Sequence, residues 1–151
     1  MTLHKVRAGD LLAGLGGIAL LAVMFVPWYG FLEGPYSGTR DIAANNTEQS
    51  AWQAFHVTLV PLVLLALLGI TLLATTVFER TSAWPVAAQV FTALVGTIAS
   101  VWILLRLLNP PGPNFAVDRR WGVWVGTALV LAITAGAWWS MRDADRADRP
   151  V

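Results

Sequence analysis

The chain contains no cysteine, and only two of its 151 residues are histidine. The first absence excludes disulfides, thiolate zinc sites, iron–sulfur ligation and cysteine nucleophiles. The two histidines, His4 and His56, fall on opposite sides of a four-span topology, so no metal site can be assembled from them. Charge is scarce as well. Asp, Glu, Lys and Arg make up 13% of the chain, against roughly 25% in an ordinary soluble domain. A net charge of +1 carries no broad basic field, which argues against nucleic acid as a partner. No Gly-x-Ser-x-Gly elbow occurs and no span carries paired carboxylates, so a hydrolase has no visible nucleophile. Gly14-Leu15-Gly16-Gly17 lacks the lysine of a phosphate loop and reads as packing chemistry. An enzyme is not expected, and no catalytic or cofactor-binding residue is assigned.

What the chain has in quantity is apolar sequence, 56% of its residues. The few charges are clustered, leaving charge-free stretches at 11–32, 49–78, 81–105 and 121–141 that together cover 98 residues. About 20 apolar residues cross a bilayer core. The pattern predicts an all-α, four-helix transmembrane bundle with spans of about 8–27, 51–78, 83–108 and 119–141. The first span follows a short basic start but ends in Val26-Pro27-Trp28-Tyr29 rather than a small-residue cleavage site, so it reads as an uncleaved helix. Residues 28–50 and 109–118 form the outer loops, and Ser50-Ala51-Trp52-Gln53 fits a capping box opening the second span. Pro61 predicts a bend within that helix. Thr81 or Ser82 is expected to cap the third span, and Asp118 the fourth. The alternating charges of 142–151 predict a solvated, frayed cytoplasmic tail.

Four spans put both termini on one side. With the termini inside, Lys5, Arg7, Arg80, Arg142, Arg146 and Arg149 are cytoplasmic, while Arg40, Arg106, Arg119 and Arg120 lie outside. The positive-inside rule therefore favours cytoplasmic termini in the plasma membrane. Trp28, Tyr29, Trp52, Trp121 and Trp124 would mark the outer interface, and Phe78, Trp84, Trp138 and Trp139 the inner one.

Spans associate through close packing of small residues. Gly122 and Gly126 lead a four-residue ridge on the fourth span, Gly96 lies on another in the third, and Gly17 on one in the first. Each ridge faces either another helix of the chain or a second subunit. Among polar span residues, Gln89, Thr58, Thr71, Thr75, Thr97 and Thr127 could line a path, although threonine in a helix usually bonds a carbonyl of its own preceding turn. Arg106, near the end of the third span, either snorkels to headgroups or joins His56 and Asp118 in a site at the outer mouth.

The set Val26-Pro27-Trp28-Tyr29, Ser50-Ala51-Trp52-Gln53-Ala54-Phe55, Arg106-Leu107-Leu108-Asn109-Pro110-Pro111-Gly112 and Gly136-Ala137-Trp138-Trp139-Ser140-Met141-Arg142-Asp143 resembles an uncharacterised actinobacterial family of four-span membrane proteins. The resemblance covers nearly the whole chain; it implies the topology and no activity. A looser likeness to claudin-type tetraspans extends to topology alone, because their Gly-Leu-Trp motif and paired loop cysteines are absent. The expected function is structural or accessory, acting through helix packing and the outer loops, with the bilayer and a homo-oligomer or larger membrane complex as partners. The alternative is a small oligomeric transporter or channel.

Overall fold

The computed structural model describes residues 8–31, 48–78, 83–110 and 117–147. In chain order these form α1 (Ala8–Val23), β1 (Pro27–Phe31), β2 (Glu48–Ser50), α2 (Ala51–Ala54), α3 (Leu59–Phe78), α4 (Ala83–Leu108), β3 (Val117–Arg119) and α5 (Trp121–Ala147). The expected caps at Thr81 and Ser82, the loop residues 111–116, the loop residues 32–47 and the tail beyond 147 lie outside the described residues.

Among the described residues, three helical stretches are long and apolar enough to cross a membrane: Leu59–Phe78, Ala87–Leu108 and Trp121–Asp143. The apolar helix α1 is shorter. It packs against α3 and α5, and α4 packs against the same two from the other side, closing a four-membered ring. Helix α1 inverts the soluble pattern. Gly9, Ala13, Gly14, Gly16 and Gly17 are buried, while Leu11, Leu12, Leu15 and Ile18 are exposed. Small residues inside allow backbones to meet, which is how helices associate where burial from water is no driving force. A Cβ on Gly17 would stand 2.5 Å from the Ala66 carbonyl oxygen, and one on Gly69 the same distance from that of Ala13.

The described chain is not all helical. The expected outer loops contribute a three-stranded antiparallel sheet of order β2-β1-β3, in which Tyr29 lies opposite both Gln49 and Arg119. Helix α1 stops at Val23, tightening through Phe25 N–H to Ala22 O and Val26 N–H to Val23 O, both 3.2 Å, so the first helix is shorter than the 8–27 expected. From Pro27 the chain pairs instead, giving the loop backbone ladder partners that irregular structure would lack.

The second span is interrupted rather than bent. After α2 the chain leaves the helix at Phe55, and α3 begins at Leu59. Pro61 then lies in the first turn, where its missing N–H is one of the orphans in any case. The Val57 carbonyl, which a continuous helix would have left facing the proline, accepts from Val60 N–H at 3.3 Å. Gln53 Oε1 accepts from Ser50 N–H at 3.1 Å, as the capping-box reading expects. Asp118 does not cap the last helix; it belongs to β3, opposite Gly30. Helix α5 opens at Trp121 and continues to Ala147, so the first part of the expected frayed tail is helical. Alanine, arginine and aspartate with no glycine or proline until Pro150 do not oblige it to stop earlier.

Candidate functional site

At the sheet end, β1 delivers two aromatic side chains into the core. Trp28 and Tyr29 are both fully buried, so neither marks a membrane interface as their place in the sequence suggested. Trp28 Nε1 donates to Val23 O at 2.8 Å, and Phe55 meets both rings edge-on at centroid distances of 5.5 and 5.8 Å. The break between α2 and α3 is what turns Phe55 inward. Trp52, Trp121 and Trp124 at this end are exposed, as are Phe78, Trp138 and Trp139 toward the other end.

The three outer-mouth residues hold different partners. Arg106 is half-buried; its Nε donates to Thr58 Oγ1 at 3.2 Å, beside the Trp102 indole N–H at 3.1 Å. Asp118 lies 3.7 Å from Arg120, which stands 3.7 Å from Glu48 of β2, the strand on the far side of β1. Such half-exposed pairs contribute little to stability. His56 is exposed. Among the described residues, no hydrogen bond or ion pair joins any two of Arg106, His56 and Asp118. Arg119, which the sequence did not single out, takes the helix-capping role: its Nε donates to Leu107 O at 2.8 Å and its Nη2 to Leu108 O at 3.4 Å, placing positive charge at the α4 C-terminus. The Tyr29 hydroxyl donates to Arg106 O at 3.3 Å. Burial pushes its phenol up to about 12, opposed in part by the charges of Arg106 and Arg119.

The packing glycines lie at different kinds of contact. Gly122 meets the Pro27 backbone, and Gly96 meets the Thr134 side chain. Gly126, whose place on a GxxxG ridge suggested a backbone partner, instead makes room for the six-membered ring of Trp28. Thr71, Thr75, Thr97 and Thr127 each donate to a carbonyl of their own preceding turn. Thr58 and Gln89 are the exceptions.

No family model matches the chain, nor does any curated protein or solved structure. The polar chemistry inside the bundle therefore stands on its own geometry.

Its largest concentration lies at the opposite end from the sheet, and sequence reading overlooked it. Asp10 of α1, Thr76 of α3, Gln89 of α4 and Ser140 of α5 converge there. Asp10 immediately precedes the charge-free stretch that begins at residue 11. Its spacing carried a signal all the same, because Asp10, Ala13 and Gly17 recur at i, i+3 and i+7 on the buried face. Gln89, Thr92 and Gly96 do the same on α4. The Asp10–Ser140 contact also places the start of α1 and the late turns of α5 at one end of the bundle.

Proposed function

We propose that the chain is a four-span integral membrane protein of the plasma membrane, with cytoplasmic termini, whose role is structural or accessory. The observation that carries this reading is the closed interior. Gly17 and Gly69 bring α1 and α3 into backbone contact, and Leu20, Leu62, Leu65, Ile103, Val130 and Ile133 fill the space between the helices. A monomer packed this way offers lipid or a partner its outward leucine, phenylalanine and tryptophan side chains, such as Leu15, Phe91, Leu105 and Trp139.

The fourth crossing is α1. Its 16 residues rise about 24 Å as helix, and exposed Phe25 continues its apolar surface past the last turn. The resemblance to an actinobacterial four-span family supports the same topology. Beyond the bilayer, the proposed partner is a second copy or another membrane subunit, met on the helix faces or at the strand-built cap.

Two measurements test the reading. A periplasm-active reporter fused after Val151 should be silent, while the same reporter inserted within 40–47 should be active; the reverse result refutes the orientation. Purified protein in liposomes should pass neither small ions nor solutes, and a saturable flux would replace the structural reading with the oligomeric transporter.

A further inference from the structure

Two of the three arginines described at the sheet end have their charge engaged. Arg120 lies 3.7 Å from both Glu48 and Asp118, and Arg119 donates to the Leu107 and Leu108 carbonyls. Arg106 differs from both. Its Nε donates to Thr58 Oγ1, but among the described residues no acceptor meets Nη1 or Nη2 and no carboxylate pairs with the guanidinium. Thr58 has no capacity left for them. A hydroxyl oxygen accepts two bonds, and the Trp102 indole N–H takes the second at 3.1 Å. The terminal nitrogens of Arg106, with four N–H bonds, therefore lack an acceptor within the described chain.

The side chain that carries them is held in place. Thr58 is 1% exposed, so the oxygen that anchors Nε is fixed in the break between α2 and α3. The Tyr29 hydroxyl donates to Arg106 O at 3.3 Å, and Asn109 N–H closes on Leu105 O at 2.8 Å, which fixes the last turn of α4 as well. Depth sets what this guanidinium meets. The 22 residues of Ala87–Leu108 rise about 33 Å, against a hydrocarbon core of about 30 Å. A helix that fills the core puts Arg106, in its last turn, at the level of the lipid phosphates on the sheet side. Trp102 lies one turn, about 6 Å, nearer the bilayer centre, and it is 41% exposed, with Leu105 at 59%.

We propose that Arg106 binds the phosphate of an anionic phospholipid in the leaflet on the sheet side, with the acyl chains lying beside Trp102 and Leu105. The proposal rests on the membrane reading above and adds a ligand to it. A guanidinium presents parallel N–H bonds that match two phosphate oxygens, and an indole at the interface accompanies lipid headgroups. A zwitterionic headgroup would bring an ammonium in need of its own carboxylate, and the two described at this end, Glu48 and Asp118, already face Arg120. A glycerol headgroup carries the phosphate without that cation. A free phosphate ion would leave water for a surface of exposed leucine and tryptophan, whereas a lipid brings chains that cover it.

The test is thermal unfolding of the full chain in neutral detergent micelles doped with phosphatidylglycerol or phosphatidylethanolamine, followed by far-UV circular dichroism. Phosphatidylglycerol should raise the midpoint saturably, with half-saturation at a mole fraction about tenfold below that of phosphatidylethanolamine. Arg106→Gln should erase this preference, while Arg142→Gln, at the other end of the bundle, should retain it. Arg106→Lys keeps the charge without the fork and should retain only part; if Arg106→Gln fails to fold, an undiminished preference in Arg106→Lys overturns the proposal. Equal half-saturation by the two lipids also overturns it, as does a preference that survives in Arg106→Gln. Equal stabilisation by sodium phosphate or glycerol phosphate at constant ionic strength would overturn the lipid as ligand in favour of a soluble phosphate. A chain that stays folded and monodisperse without detergent would instead remove the membrane reading itself, and the proposal with it.

Discussion

Replacing Gly126 with alanine should destabilise the fold by about 1–3 kcal/mol, the usual cost of overpacking, because the added methyl falls on Trp28 Cη2 and Cζ2. The indole has nowhere to retreat. It is fully buried, its N–H is committed to Val23 O at 2.8 Å, and the Phe55 ring closes on it at 5.5 Å. Rotating it away would forfeit that hydrogen bond, about 1 kcal/mol more. Against this stands the helix preference for alanine over glycine, worth up to about 1 kcal/mol, so the clash outweighs the propensity. Gly126→Leu should be worse. Trp28→Phe removes the ring atoms that collide, at the expense of a cavity and of the indole hydrogen bond to Val23 O, which keeps only its bond from Val26 N–H. The double variant Trp28→Phe with Gly126→Ala should therefore be more stable than the two single losses added together, by about 1–2 kcal/mol of coupling. Reversible unfolding in mixed detergent–SDS micelles, read by far-UV circular dichroism so that loss of a tryptophan does not change the probe, measures each corner of the cycle. A neutral or stabilising Gly126→Ala, or strictly additive losses, would refute the argument that this glycine exists to admit the indole.

Tyr29 should confer an alkaline limit. Its phenol is raised to about 12 in the folded protein, while the unfolded chain releases that proton near 10. The stabilisation is whole below about pH 10 and is lost as pH rises toward 12, so Tyr29→Phe should shrink the drop in unfolding free energy between pH 9 and 11. An equal drop in both proteins would exclude Tyr29 as its source. Arg119→Ala should lose about 1 kcal/mol by uncapping the Leu107 and Leu108 carbonyls, and Arg119→Lys should recover only part, since a point charge cannot reproduce the guanidinium fork. Complete rescue by lysine would reduce the contribution to charge alone.

How much of this was legible in the sequence depended on the range of the interactions concerned. The capping box of Ser50 and Gln53 is local, and it formed as expected. The helical threonines likewise spend their hydroxyls on their own turn. Pro61 announced a disturbance of the second span, but the choice between a kink and a fresh start rested on Phe55 entering the aromatic cluster beneath the sheet. The strands were hidden because Glu48–Ser50 and Val117–Arg119 are too short to declare a period, and their partner β1 is distant along the chain. Arg106 stood out for its place at a span end, yet the cation that caps that end is Arg119, whose reach to Leu107 and Leu108 follows from β3 pairing with β1.

Composition alone pointed to four apolar stretches, because hydropathy over about 20 residues is a one-dimensional property; among the described residues three of them form helices of membrane-crossing length and the first a shorter one. The small-residue ridges were visible in the same way, at spacings of three and four. What each ridge meets was decided in three dimensions: a backbone for Gly17 and Gly122, an indole for Gly126 and a threonine side chain for Gly96. The gathering of Asp10, Thr76, Gln89 and Ser140 from four helices was decided there too, since residues up to 130 positions apart become neighbours only when antiparallel helices bring matching heights together. Sequence spacing reports which face of its own helix a polar residue occupies, and packing alone sets what stands opposite.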